Sequence, residues 1–203
     1  MRLNPGPLDE LVEVMARLRA ECAWKAGQTH TSLVRYLLEE TYEVVEAIET
    51  GEPEDLREEL GDLLLQVYFH AAIAAEAGQY DIEDVAADLV AKLRRRNPHV
   101  FAPDGSTADA SDPAAIDAQW ERIKAGEKDR SSVMHGIPDE LPALLRAVKA
   151  LDRLERTGTA QPAPATGAAD LGDRLLALVV EARADGVDPE QALRAAVRRL
   201  TGE

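Results

Sequence analysis

An all-α fold follows from three observations on the sequence. Apolar residues recur at three- and four-residue spacing along nearly the whole chain, alternating strand-like patterns are absent, and Gly, Pro, Asp and Asn punctuate the periodic stretches. Leu8, Leu11, Val12, Met15 and Leu18 predict a first amphipathic helix. Cys22 to Gln28 reads as a loop, and Leu33, Leu37, Leu38, Val44, Val45 and Ile48 trace a second helix. Thr50-Gly51-Glu52-Pro53 reads as a stop and restart: Gly51 suits a left-handed C-terminal position, and Pro53 the first turn of the next helix. A third helix from about Pro53 to Ala77 is apolar almost all round past Leu63, the pattern of a buried helix. Asp81 is placed to cap a fourth, which ends in Lys92-Leu93-Arg94-Arg95-Arg96 before Asn97-Pro98 stops it. Asp104 to Asp112 reads as a small-residue loop. Asp112-Pro113 opens a helix carrying Trp120 and Lys124, and a further helix covers about Asp139 to Arg156.

Thr157 to Ala169 holds Ala, Pro, Thr and Gly without periodicity, which predicts a flexible linker. Beyond it, Asp170-Leu171-Gly172-Asp173-Arg174-Leu175-Leu176 closely copies Glu59-Leu60-Gly61-Asp62-Leu63-Leu64-Leu65. Each copy is followed by an alanine-rich helix, a Gly, an Asp start (Asp81, Asp188) and a helix ending in basic residues. The C-terminal third therefore reads as a degenerate internal repeat of the central one.

Composition narrows the function classes. The chain has 203 residues, enough to bury a real core, and 23 Lys plus Arg against 38 Asp plus Glu give a formal charge of −15. That balance argues against a nucleic-acid coat or an anionic-membrane binder, yet leaves room for a nucleotide bound through a local basic patch. Cys22 is the sole cysteine, so a reducing compartment fits best. Met1 to Pro7 lacks the apolar core of a signal peptide, and Leu63 to Ala77 is too short and too interrupted to span a bilayer. The expected location is cytoplasmic.

The chemistry concentrates in two acidic motifs, Glu39-Glu40-Thr41-Tyr42-Glu43 and Glu59-Leu60-Gly61-Asp62. Glu40 and Glu43 are three apart, as are Glu59 and Asp62, so each pair shares one helix face. Two antiparallel neighbours joined by one tight turn then point four carboxylates into one gap. Like charges so close repel unless a cation sits among them, and a hard divalent ion suits oxygen donors. Gly61 removes bulk where another helix or a substrate could approach. Either motif alone would more often be a solvated helix face; the pair across one turn, on a helix that continues as Leu63 to Ala75, points to a site. No His/Cys cluster suggests zinc, no glycine-rich nucleotide motif is present, and His30 and His70 read as structural.

Taken together, these stretches resemble the MazG family of nucleoside triphosphate pyrophosphohydrolases, within the all-α NTP pyrophosphatase superfamily. The hallmark is Glu39-Glu40-x-x-Glu43 followed by Glu59-x-x-Asp62, supported by Asn97-Pro98-His99-Val100-Phe101, Trp120-Glu121-x-Ile123-Lys124 and Gly136-Ile137-Pro138. The resemblance covers about residues 8 to 156. It implies a MazG-like helical bundle, with a four-helix arrangement completed by homodimerisation or a higher assembly. It further implies Mg²⁺-dependent hydrolysis of an NTP between the α and β phosphates, with Mn²⁺ as a substitute, in nucleotide-pool clean-up. Glu40, Glu43, Glu59 and Asp62 take the metal-ligand positions, and Glu39 that of a group supporting the ligands or of a water activator. Lys92, Arg96, Trp120 and Lys124 resemble positions that contact the nucleotide, as do Trp24 and Gln28. The loop departs from the family's Cys-Pro-Trp-Asp pattern at Ala23 and Lys25, and Asn97 stands where His is common.

The expected organisation is a catalytic domain over 1–128, a connecting helix over 129–157, the linker over 158–169, and a truncated, catalytically silent repeat over 170–203. Two rival readings stand beside the enzyme: a non-catalytic module that binds metal, nucleotide or a protein partner, and a structural assembly protein with solvated acidic faces.

Overall fold

The computed structural model describes residues 6–101, 111–127, 132–158 and 170–202, and no strand occurs among them. The all-α expectation holds. Among the described residues ten helices run in order: α1 (Pro7–Glu21), α2 (Ala23–Ala26), α3 (His30–Thr50), α4 (Pro53–Glu76), α5 (Ile82–Arg96), α6 (Pro98–Phe101), α7 (Pro113–Gly126), α8 (Ala143–Arg156), α9 (Leu171–Ala184) and α10 (Pro189–Thr201). The chain divides after Ala125 into two compact units. Most of the loop expected at Asp104 to Asp112, and of the linker from Thr157 to Ala169, lies outside the described residues.

Local chemistry sets the boundaries. Thr29 caps α3 by accepting from the Ser32 amide at 3.1 Å, while the Thr29 amide donates back to Ser32 Oγ at 2.9 Å. Pro53 occupies the first turn of α4, and the Glu52 amide donates to Asp55 Oδ2 at 2.9 Å. Asp81 accepts from the Glu83 and Asp84 amides and so opens α5. Two sequence expectations need correction. The stretch after Cys22 winds into the single turn α2 instead of an open loop. Gly51 is extended, at φ −89° and ψ 175°, not left-handed. Its requirement is steric, because a Cβ there would lie 2.9 Å from both the Cα and the carbonyl oxygen of Ala47. The glycine thus lets the chain fold sharply back over the end of α3.

That reversal makes α3 and α4 a long antiparallel hairpin. His30 meets His70, Glu40 meets Gln66 and Glu43 meets Glu59, so numbering rises on one helix as it falls on the other. The core of the first unit gathers Met15 from α1, Leu33 from α3, and Tyr68 with Phe69 from α4. Leu11, Tyr36, Leu64, Leu65, Ala72, Ile73 and Ile82 pack around them. Tyr68 donates its hydroxyl proton to the Leu8 carbonyl at 3.2 Å, which pins the start of α1 to α4. In the second unit α8, α9 and α10 pack on one another around Leu151 and Val179. There Arg183 bridges Asp152 and Glu155.

The hairpin carries a histidine pair at its open end. His30 Nδ1 lies 2.7 Å from His70 Nδ1, with the rings within 3° of parallel. One nitrogen must donate and the other accept, so the contact requires at least one neutral ring. Burial first, and the nearby His30 second, hold the His70 pKa below its ordinary value.

Phe69 is 2% exposed, so Phe69→Ala should cost about 3–5 kcal/mol in urea denaturation. The depressed His70 gives a second expectation. Its unfolded form takes up a proton at a higher pH than its folded form, so its contribution is lost as pH falls below the ordinary histidine range. The acid-side loss of Tm between neutral pH and pH 5 should therefore be smaller in His70→Leu than in the wild type. Glu40 and Glu59, discussed below, contribute with opposite sign but equally in both chains.

Candidate functional site

The α3–α4 hairpin focuses the acidic motifs. Carboxylate oxygens of Glu40, Glu43 and Glu59 all lie within 4.8 Å of one another, the one such grouping among the described residues. Helical spacing explains this, since Glu40 and Glu43 share a face of α3 that looks onto α4 one turn before Asp62. Asp62 is half-buried, and its charge acts on both Glu40 and Glu59. Partial burial first, and then the charges of Asp62 and Glu43, raise the Glu40 pKa; a hydrogen bond with Glu43 adds to the rise. Partial burial and then Glu43, Asp62, Glu58 and Asp55 raise the Glu59 pKa. Every charge that shifts Glu40 and Glu59 is negative, and the donors are hard oxygens. Glu40, Glu43 and Glu59, with Asp62 beside them, therefore fit a hard divalent cation.

One contributor escaped the sequence reading. Gln66 is 4% exposed and donates its amide to Glu40 Oε1 at 3.3 Å. That contact lowers the Glu40 pKa against the prevailing rise and fixes the carboxylate's orientation. The available signal was a polar residue one turn after Asp62 in an otherwise apolar run. Glu39, by contrast, is exposed on the adjoining face and is not one of the three converging carboxylates. Gly61 is open, with no described atom within 4 Å of where a Cβ would lie, so no described element uses the approach it offers.

The remaining predicted residues fall into two cation–aromatic groups. Arg96 and Lys124 both lie over the Trp120 ring, at 5.1 and 4.4 Å from its centroid, and Lys124 also pairs with Glu121 at 2.9 Å. Lys92 is exposed one turn before Arg96 on α5. In the second group, Trp24 on α2 meets Tyr36 edge-on at 5.9 Å and keeps half its surface exposed. Tyr36 is one helical turn before Glu40, so this aromatic edge adjoins the carboxylates along α3. The Gln28 side chain is occupied within the turn, donating to the Trp24 carbonyl at 3.1 Å and accepting from Ser32 Oγ at 2.7 Å. It shapes the loop that presents Trp24.

Comparison with known proteins places this geometry in context. Residues 28–101 match the MazG nucleotide pyrophosphohydrolase domain, a span that holds all four acidic positions. An uncharacterized 26.1 kDa protein in the blaB 3' region of Streptomyces cacaoi is 48% identical over 206 residues, covering 97% of this chain and 83% of its own. The nucleoside triphosphate pyrophosphohydrolase/pyrophosphatase MazG of Thermotoga maritima is 39% identical over 216 residues, covering 95% and 82% respectively. A nucleoside triphosphate pyrophosphohydrolase of Mycobacterium tuberculosis is 44% identical over 192 residues, which are 94% of this chain but 54% of that protein.

Because burial and the neighbouring carboxylates disfavour the charged form of Glu40, Glu40→Gln should raise the metal-free Tm at neutral pH while keeping the Gln66 contact to its oxygen. The sign follows from the raised pKa: the stabilising form exists at low pH and is lost as pH rises through the shifted value. A divalent cation should raise the wild-type Tm in proportion to the logarithm of its concentration, and the variant's far less. Differential scanning calorimetry with EDTA, Mg²⁺ or Mn²⁺ measures both.

Proposed function

We infer that this chain, which belongs to the MazG family, is a nucleoside triphosphate pyrophosphohydrolase that releases the nucleoside monophosphate and pyrophosphate. The observation that carries the reading is the convergence of Glu40, Glu43 and Glu59 from two helices, with Asp62 alongside. On this reading Glu40, Glu43, Glu59 and Asp62 hold Mg²⁺, or Mn²⁺ in its place. When bound, such an ion neutralises triphosphate charge and lowers the pKa of a coordinated water, bringing a nucleophile within reach near neutral pH.

The chain's own residues supply position and charge. Gln66 keeps Glu40 turned toward the cluster. Glu39, exposed beside it, is assigned the acceptance of a proton from attacking water at the α-phosphate. Lys92, Arg96 and Lys124 are assigned to the triphosphate, with the planar guanidinium suited to paired phosphate oxygens. Trp24 and Trp120 offer ring faces to a base. The relatives named for this activity share the domain, and the chain spans little more than half of the Mycobacterium tuberculosis protein. Surplus or abnormal nucleotides are the expected substrates, consistent with clean-up of the nucleotide pool.

The second unit is assigned a packing role. Asp170, which matches Glu59 in the repeat, is spent capping α9 by accepting from the Gly172 amide at 2.9 Å. Its carboxylate therefore opens a helix instead of facing a second acidic pair. Homodimerisation is proposed on the apolar surface the first unit leaves uncovered, with Leu38, Tyr42 and Leu60 about half exposed and Ile48 63% exposed. No described helix is long and apolar enough to cross a membrane, and a cytoplasmic location is proposed.

Pyrophosphate release should be measured over all NTPs and dNTPs with Mg²⁺ and then with EDTA. Turnover that EDTA abolishes is expected, with Glu40→Gln and Asp62→Asn each lowering kcat by roughly 100-fold or more. Metal or nucleotide binding without turnover on any member of the panel favours the non-catalytic module instead.

A further inference from the structure

Arg19 is a buried cation that the sequence reading passed over. It lies on α1, one turn after Met15, and is 9% exposed. A guanidinium so enclosed must have its N–H groups satisfied. Two of them meet one carboxylate: Nε donates to Glu76 Oε1 at 2.8 Å and Nη2 to Glu76 Oε2 at 2.5 Å. That fork raises the Arg19 pKa and lowers that of Glu76, so both stay charged. The third nitrogen does something different. Nη1 donates to the backbone carbonyls of Lys25 and, at 3.1 Å, Gln28. These two carbonyls belong to the turn immediately after Trp24.

The same turn is held from other sides. Gln28 donates to the Trp24 carbonyl. The Lys25 ammonium lies 5.4 Å from the Trp24 ring centroid and 5.2 Å from that of Phe69, filling the space between an exposed ring and a core ring. Tyr36 takes the edge of Trp24, one turn before Glu40. An exposed tryptophan on a four-residue helix would otherwise sample many orientations, and a stacking surface gains from one fixed beforehand.

Resting on the nucleotide reading above, we propose that Arg19 is a positioning residue for substrate: through the Lys25 and Gln28 carbonyls it fixes Trp24 as the stacking wall for the nucleobase beside the acidic cluster. The Glu76 fork anchors the guanidinium to α4, and the Nη1 bonds transmit that anchor to the loop. Lysine cannot reproduce both, having no planar fork to span a carboxylate and two carbonyls.

Two readouts test this. Trp24 and Trp120 are the protein's two tryptophans, so in a Trp120→Phe background Trp24 alone reports by fluorescence. Without nucleotide, Arg19→Met should make Trp24 more quenchable by acrylamide and speed amide exchange over residues 23–28, with α3 and α4 still protected. With Trp120 intact, Arg19→Met should raise KM for the preferred NTP about tenfold and leave kcat within about twofold, the signature of lost binding in ground and transition states alike. Glu76→Gln, which loosens the anchor but spares the carbonyl bonds, should raise quenching and KM in the same direction as Arg19→Met and by less. Arg19→Lys should recover much of the Tm but not the KM, which keeps the test open if Arg19→Met folds poorly. In a Trp24→Ala background, Arg19→Met should raise KM no further. A KM effect that persists without Trp24, or that tracks Tm loss across all variants, overturns the proposal, as does unchanged loop exchange in Arg19→Met. If the wild type turns over no nucleotide, the assigned reaction fails, while exchange and quenching still decide whether Arg19 holds the loop.

Discussion

Repulsion among carboxylates forced together by two rigid helices is the constraint around which the first unit is organised. Glu40, Glu43, Glu59 and Asp62 would separate freely on a flexible chain. They stay together because α3 and α4 are long, closely joined at Gly51-Glu52, and seated on Met15, Leu33, Tyr68 and Phe69. Burial first, and then the neighbouring carboxylates, raise the pKa of Glu40 and Glu59. Folding energy from the core is thus spent holding a site that favours a cation. A surface acidic patch has no such opposition, since its side chains turn outward into water.

The same hairpin explains why the other groups are where they are. Its open end carries the His30–His70 contact and the α2 turn, while its closed end is set by the extended glycine. Trp24 approaches along α3 through Tyr36, and Arg19 ties the loop to the end of α4. Packing, loop geometry and the acidic focus therefore share one element pair.

The helices and the acidic positions were legible because both depend on local spacing. Glu40 with Glu43, and Glu59 with Asp62, need only a 3.6-residue period and a tight turn between them. Features that depend on long-range partners were not. Burial of Arg19 depends on Glu76, 57 positions later, and nothing local to α1 announces it. Gln66 reads as an interruption of an apolar run until Glu40 is seen across the hairpin. Gly51 was expected to be left-handed because that is the common helix-ending conformation, whereas its real need is room beside Ala47. The α2 turn was missed because four residues carry too little periodicity to read.

Crystals soaked with Mn²⁺, with data collected at the manganese absorption edge, test the central claim most directly. The account predicts an anomalous peak among the carboxylates of Glu40, Glu43, Glu59 and Asp62. A fully occupied manganese peak elsewhere, with these four side chains turned into solvent, would contradict it.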